Sequence, residues 1–416
     1  RSGVFGTNRA ESWGDWIPGR SGLSDTYNSG AFFTAANGTV YKAIDDKNST
    51  QTFVDENFDS VFGTGNALQN DLTISGGGDN STYFFSLGHL DQDGIIRNAN
   101  YERTNVRLNY EAKLNDKITL SSKMAYTYTE SNRIQQSSNV SGMMLGLLRT
   151  PPDFDGRDYI GTYTSSGGSE YVNRGRSYRK QLGQSTNQSY TNPLWTVNEQ
   201  TSLTKVNRIT VTPQLTIKPT NWFSIITRGN VDVADDKRTY FFPLGDASSR
   251  ANGQFQEDVI DIRNSSLDII GKANFDLADN INLTATAGWS YNDRKYNRVS
   301  GNITGFLVNS KKQTTALNTS AEASSFENFR SFRRSNRGYG VLNLDVANEL
   351  FINVSGALES ASTISGSFFY PATDIAWVLT ESAMQPGAIS FAKLRGSWGQ
   401  VGVQPSAHKF ETLAEG

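Results

Sequence analysis

Histidine occurs only at His89 and His408, and cysteine is absent. Thiolate nucleophiles, disulfides and cysteine metal sites are therefore excluded, and histidine metal centres and Ser-His-Asp triads nearly so. Carboxylates come in close pairs, Asp153 with Asp155 and Asp235 with Asp236, but such pairs are too common to imply glycosidase chemistry. DQDGIIRNANYE, residues 91–102, has the Glu a calcium loop needs at its twelfth position, yet puts Ile95 and Arg97 where oxygen ligands are required. It reads better as a hairpin loop. The basic run FRSFRRSNR, residues 329–337, could touch phosphate; on a membrane barrel it would meet lipopolysaccharide or acids of the lumen. No catalytic residue, metal ligand or cofactor is expected. What remains is binding: segments 149–163 and 171–195 mix aromatic rings with Arg, Asp and Asn, which suits stacking on sugars and hydrogen bonding to sugars or peptides. The expected substrate contacts are Arg149, Asp153, Tyr159, Tyr190 and Trp195. For each aromatic the competing role is packing its own loop or a partner protein.

The chain of 416 residues is 19% charged and 11% aromatic with a net charge of -2, so it is neither disordered nor patterned for nucleic acid. Its longest apolar run, VSGMMLGLL at residues 140–148, falls well short of the roughly 20 residues of a membrane helix. Any membrane crossing would be by strands. The N-terminal RSGVFGTNRAESW lacks the pattern of a secretory signal, which implies a chain that is not exported or an internal piece of a longer one.

Alternation supplies those strands. Val106, Leu108, Tyr110 and Ala112 alternate with polar residues, turn at LNDK, and continue as Ile118, Leu120, Met124, Tyr126 and Tyr128. Comparable hairpins turn at KPTN, LADN and VANE, with Asn, Asp and Pro as tight connections prefer. Segments 132–203, 238–264 and 298–335 alternate little and read as long polar loops. Short turns on one side and long loops on the other, with strands of about ten residues or more, point to an outer-membrane barrel rather than a soluble sandwich of shorter strands. Arg107, Asn109, Glu111, Lys123, Arg208, Gln214, Arg228, Asp232, Lys272, Asn274, Asn282 and Asn353 would face a wet lumen. Tyr126, Tyr128, Trp222, Phe223, Trp289 and Tyr291 would form an aromatic girdle. In STYFFSLGHL, Tyr83, Phe85 and Leu87 would face lipid, with Phe84 and Leu90 on the other side.

With the strands placed, three ordered segments resemble the SusC/RagA family of TonB-linked outer-membrane proteins. The first, residues 55–114, carries an acidic, aromatic DENFDSVF, then Ser75-Gly76-Gly77, Tyr83, Ser86, Gly94-Ile95-Ile96, Arg103 and Arg107. TNPLW, residues 191–195, is the second, and FFYPATDIAWVLTES with ISFAKLRGSWGQVG, residues 368–402, the third. His89 departs from the family's usual Tyr, and Thr373, Asp374 and Ala376 depart from its serine-rich pattern and usual Gly. The resemblance implies an antiparallel transmembrane β-barrel, with short periplasmic turns, long extracellular loops and roughly half of about 22 strands. Residues 1–69 would be early and mostly extracellular, 70–402 the barrel, and 403–416 the start of a further loop. It also implies TonB-dependent import of glycan oligomers or peptides together with a SusD-like surface lipoprotein. The TonB complex would act through a plug region not present in these residues, and lipid and lipopolysaccharide would surround the wall. A β-rich surface adhesin is the alternative.

Overall fold

The computed structural model describes residues 15–135, 138–176, 178, 188–307, 319–382 and 389–409. The N-terminal segment 1–13, positions 177 and 179–187 of the second candidate loop, and residues 410–416 lie outside them. In chain order the strands begin with β1 (Thr26–Ala35), β2 (Val40–Asp46), β3 (Ala67–Gly78), β4 (Ser81–Asp93), β5 (Asn100–Asn115), β6 (Ile118–Asn132), β7 (Ile160–Thr164) and β8 (Glu170–Gly175). They continue with β9 (Thr201–Ile217), β10 (Phe223–Leu244), β11 (Asn252–Ala278), β12 (Ile281–Phe306), β13 (Thr319–Val346), β14 (Leu350–Ala361), β15 (Ser367–Val378) and β16 (Lys393–Gly399). Helices α1 (Val54–Val61), α2 (Met143–Arg149), α3 (Pro193–Glu199) and α4 (Leu379–Ser382) complete the elements used below. No described helix is long and apolar enough to cross a membrane.

Twelve strands, β3 to β6 and β9 to β16, form one antiparallel sheet in chain order, β6 pairing directly with β9. Directly opposed residues share a face, so the register carries side-chain orientation from strand to strand. One face reads Ile74, Phe85, Leu108, Met124, Val211 and Val231 across six strands. Further along it reads Phe275, Leu283, Leu344, Ile352 and Ile375. Among the described residues nothing packs over this face: Leu72, Tyr83, Met124, Ile269 and Leu342 are all exposed. The opposite face reads Glu111, Ser121, Gln214, Arg228, Asp268, Ser290, Arg337 and Glu359. The inward residues expected from the sequence share it. An apolar face left bare and a polar face turned the other way is the inverse of a soluble sandwich, and it defines the wall of a transmembrane barrel. Across β12 the apolar band runs from Leu283 to Tyr291, about 26 Å along the strand at about 3.3 Å per residue. After tilt, the flanking aromatics complete a band of about 25 Å.

The girdles follow. Near one edge Trp222 packs against Phe223 and Phe275, with centroids 5.7 and 5.5 Å away. At the other edge Trp289 stacks on Tyr291 at 6.3 Å. There the Tyr126 hydroxyl donates to Asn207 Oδ1 at 2.8 Å, and Tyr128 to Glu130 Oε2 at 2.6 Å. Tyr126 and Tyr128 keep the ring body on the apolar band and the hydroxyl tip on a polar partner beyond it. His89 occupies the same outward row as Tyr128, through Thr104, and its Nδ1 lies 3.0 Å from Thr104 Oγ1. Histidine thus stands in for a tyrosine where the band meets water.

The turns at the Trp222 edge are tight. Asp79-Asn80, Asp116-Lys117 and Asp279-Asn280 are two-residue connections, and Ala347 and Asn348 both take φ of 58°, the left-handed geometry that suits a short hairpin. Gly77 cannot be replaced, because an added Cβ would meet Ser81 O at 2.4 Å. Of segments 238–264 and 298–335, expected from the sequence as loops, residues 238–244, 252–264, 298–306 and 319–335 are instead the outer halves of β10 to β13, strands of 22, 27, 26 and 28 residues, and residues 308–318 lie outside the described residues. Beyond the bilayer no lipid enforces one apolar face, so the ladder continues while the alternation that advertises it disappears. An aromatic cluster, Phe241, Phe255 and Phe306, packs at their far end.

Leu342 and Asn343 are neighbours on opposite faces. Leu342→Lys places a charge on the lipid side and should cost about 2–4 kcal/mol, seen as lost folding into vesicles and lost heat-modifiable gel migration. Asn343→Lys should fold as the parent does. Equal tolerance of the two would contradict the assignment of faces.

Candidate binding site in the extracellular loops

The connection between β6 and β9, together with residues 15–66, builds a small folded unit. Its sheet has the order β2-β1-β7-β8. Beside it α1 presents Phe58, Val61 and Phe62 to Met143 and Leu147 of α2 and to Leu194 and Val197 of α3, the i, i+3, i+4 spacing of a one-sided helix. Two of the family-like segments meet here. Asn57 of DENFDSVF accepts from Gly156 N and donates to Phe154 O, both at 2.7 Å. Asn192 of TNPLW caps α3, its Oδ1 accepting from Leu194 N at 2.9 Å, while its Nδ2 donates to the carbonyls of Gly156 and Arg176 at 3.2 Å. An Asn-Pro start is a strong helix entry, and here the same side chain ties the helix to two other loops.

Arg176 is the most enclosed cation among the described residues. Its guanidinium lies 3.7 Å from the Tyr41 ring centroid and 4.3 Å from that of Phe154, and it donates to Asp155 O. Burial pulls it down to about 10, so it remains charged at neutral pH. Burial and a hydrogen bond to Asp158 push the Tyr41 phenol up to about 12. A cleft of about 780 Å3 opens beside this group, lined by Asp25, Tyr27, Lys42, Lys47, Asp155 and Arg176 among others.

The five expected contacts all fall in this unit but not in one place. Asp153 is buried and pairs with Arg20 at 2.9 Å, at the cleft wall. Trp195 is 1% exposed, packed inside the unit. Tyr159 donates to Glu199 Oε1 at 2.8 Å and packs on the helix core. Arg149 and Tyr190 come together: the guanidinium sits 5.5 Å from the ring centroid and donates to the backbone and side-chain oxygens of Asn139 at 2.9 and 3.0 Å. Only this pair combines mutual contact with partial exposure. Sequence reading missed Asn57, Asn192 and Arg176; of these only Asn192, by its Asn-Pro position, carried a local signal.

Asp246, in the turn from β10 to β11, anchors the unit to the wall. Fully buried, it accepts from Thr191 Oγ1 at 2.8 Å, Gln200 Nε2 at 2.9 Å and Ala247 N at 2.9 Å. Burial pushes its carboxyl up to about 6 against those donors.

No family model matches the chain. Over 366 residues it is 23% identical to the TonB-dependent receptor P26 of Formosa agariphila, covering 83% of this chain and 34% of that protein. It is 33% identical to the TonB-dependent receptor P39 of the same organism over 101 residues, 24% of this chain and 10% of that one. The chain thus spans about a third of the length of the first of these curated relatives. The structure of the RagAB peptide transporter superposes with a TM-score of 0.65 at 17% identity, covering 82% of this chain and 38% of that one. A RagAB peptide importer in a closed-closed state gives 0.64 at 18%, covering 82% and 37%. The fold is that of a TonB-dependent receptor barrel. The resemblance to the SusC/RagA family read from the sequence is borne out.

Asn192→Ala removes a cap and two buried hydrogen bonds and should cost the loop unit about 2–4 kcal/mol. Limited proteolysis should then cut within residues 133–200 while unheated gel migration of the barrel is unchanged; protection equal to the parent's would count against this role. Asp246 holds its proton up to about pH 6 in the folded chain and releases it near the ordinary carboxylate value when unfolded. The anchor is therefore strongest below that window and weakens as pH rises through about 6. Protease resistance of the loops should be higher at pH 5 than at pH 7, and Asp246→Asn should flatten the difference.

Proposed function

We propose that this chain forms part of the wall and outer loops of an energy-coupled importer in the outer membrane, taking in glycan oligomers or peptides with a SusD-like surface lipoprotein. The observation that carries the reading is the pairing of a lipid-facing apolar band and a charged, wet inner face with a folded loop unit outside the band, in a chain similar to TonB-dependent receptors. The wall needs no catalytic group for this role. Its inner face offers guanidinium, amide and hydroxyl groups to a polar cargo, and its loop unit offers aromatic rings beside Arg149 and the cleft. Energy would come from the TonB complex acting on a plug region. The lipoprotein would cover the loop end, where α1, α2 and α3 pack on one another. Peptide import by RagAB is consistent with this cargo class, as is a sugar oligomer stacking on Tyr190.

Cells lacking the intact protein should lose uptake of labelled oligomers, and a protonophore should abolish the same uptake in the parent. Passive, uncoupler-resistant entry would overturn the proposal. The lipoprotein should co-purify with the barrel in mild detergent. Replacing Arg149 and Tyr190 together by Ala should weaken oligomer binding about tenfold without changing gel migration.

A further inference from the structure

Arg294 of β12 and Arg333 of β13 are direct cross-strand partners on the inner face. Their row continues through Asn264 and Asp232, so its orientation toward the lumen is set by the same register that places the lipid band. Opposed like charges destabilise a ladder, and nothing nearby on this face relieves them. Asp232 is held by Arg208 through two bonds of 2.8 Å. Asp268 is taken by Arg228 and by Ser290 Oγ at 2.6 Å, Asp236 by Arg238, and Glu327 by Arg298 at 2.8 Å. Among the described residues neither Arg294 nor Arg333 makes an ion pair, and Arg294 is exposed. The outward band of β12 ends at Tyr291, three residues earlier, so the pair stands at the extracellular rim of the lumen. Asn292 and Ser335 face each other one row inward, and Tyr296 and Ser331 one row outward. Two guanidinium groups framed by an amide, hydroxyls and an aromatic ring form a surface that matches a carboxylate beside a polar backbone.

We propose that Arg294 and Arg333 form an anion-binding station at the lumen entrance that selects oligomers bearing carboxylates, whether uronate sugars or acidic peptides. This rests on the importer reading and narrows its cargo class. Like charges that repel each other in the empty wall are relieved when a carboxylate bridges them, so the unfavourable pairing itself becomes affinity for an acidic cargo.

The test uses the intact protein purified from outer membranes in detergent, with binding of oligogalacturonate, hexaglutamate, maltohexaose and a neutral hexapeptide measured by calorimetry at two salt concentrations. At least one acidic probe should bind more tightly than its neutral counterpart, with affinity falling as salt rises. Which acidic probe prevails identifies the source of the carboxylate. Replacing Arg294 and Arg333 together by Gln should lower that affinity tenfold or more. Replacing Lys295 and Arg334 by Gln, on the same strands but the outer face, should leave it unchanged. Equal binding of acidic and neutral probes, or an undiminished affinity in the Arg294/Arg333 variant, would overturn the proposal. Because binding in detergent needs no TonB, its failure is distinct from failure of import, which energised uptake in cells reads separately.

Discussion

Register is the constraint on which the rest depends. In hydrocarbon every backbone N–H and C=O must be paired within the protein, and side chains alternate with a period of two, so a slip of one residue between any two strands would turn a charged row into lipid. The antiparallel register through β3 to β6 and β9 to β16 prevents this, its shifts lying near strand ends, at Lys113/Asn115, Asp276/Ala278 and Thr304/Phe306. It places Phe85, Leu108 and Met124 in one apolar row while Arg208 and Asp232 satisfy each other on the far side. The two edges, β3 and β16, each have one partner in the sheet. Within a bilayer such edges require further strands to pair with, which is how the family's larger barrels close.

The same strands carry structure beyond the membrane. β10 to β13 outrun the apolar band by many residues and keep their pairing, so the outer rim is a continued ladder rather than a set of loops. The loop unit is fastened to that ladder at its turn, where Asp246 meets Thr191 and Gln200. It is fastened internally where Asn57 and Asn192 grip the two sides of Gly156. TNPLW therefore contributes a helix start, a cap and an anchor within five residues, which gives its family-like spelling a mechanical reason.

The membrane wall was legible because lipid on one side and water on the other force alternation. The twelve inward residues and the aromatic girdle follow from it. The outer halves of β10 to β13 do not, since beyond the lipid nothing enforces a strict alternation. The sheet of β1, β2, β7 and β8 stayed hidden for another reason: it is two hairpins joined by one pairing across more than a hundred residues, as Phe33 with Tyr163. Among the candidate contacts, Asp153 and Trp195 were chosen for chemistry that suits a ligand, yet burial and an ion pair to Arg20 direct them inward. Residue type says what a side chain can do, and long-range packing decides which partner it meets.

The Arg294 and Arg333 pairing depends on that same long-range information. Along the chain the two residues lie in unrelated basic runs, and only the hairpin register sets them face to face. Their neighbours show how selective the placement is. One residue away on the outer face, Lys295 and Arg334 share Asp293 at 3.6 and 3.5 Å, a loose mutual neutralisation that suits a surface beside lipid headgroups. On the inner face the corresponding acid is missing and the position opposite is another arginine. An anion arriving through the lumen would meet two opposed guanidinium groups that make no ion pair among the described residues.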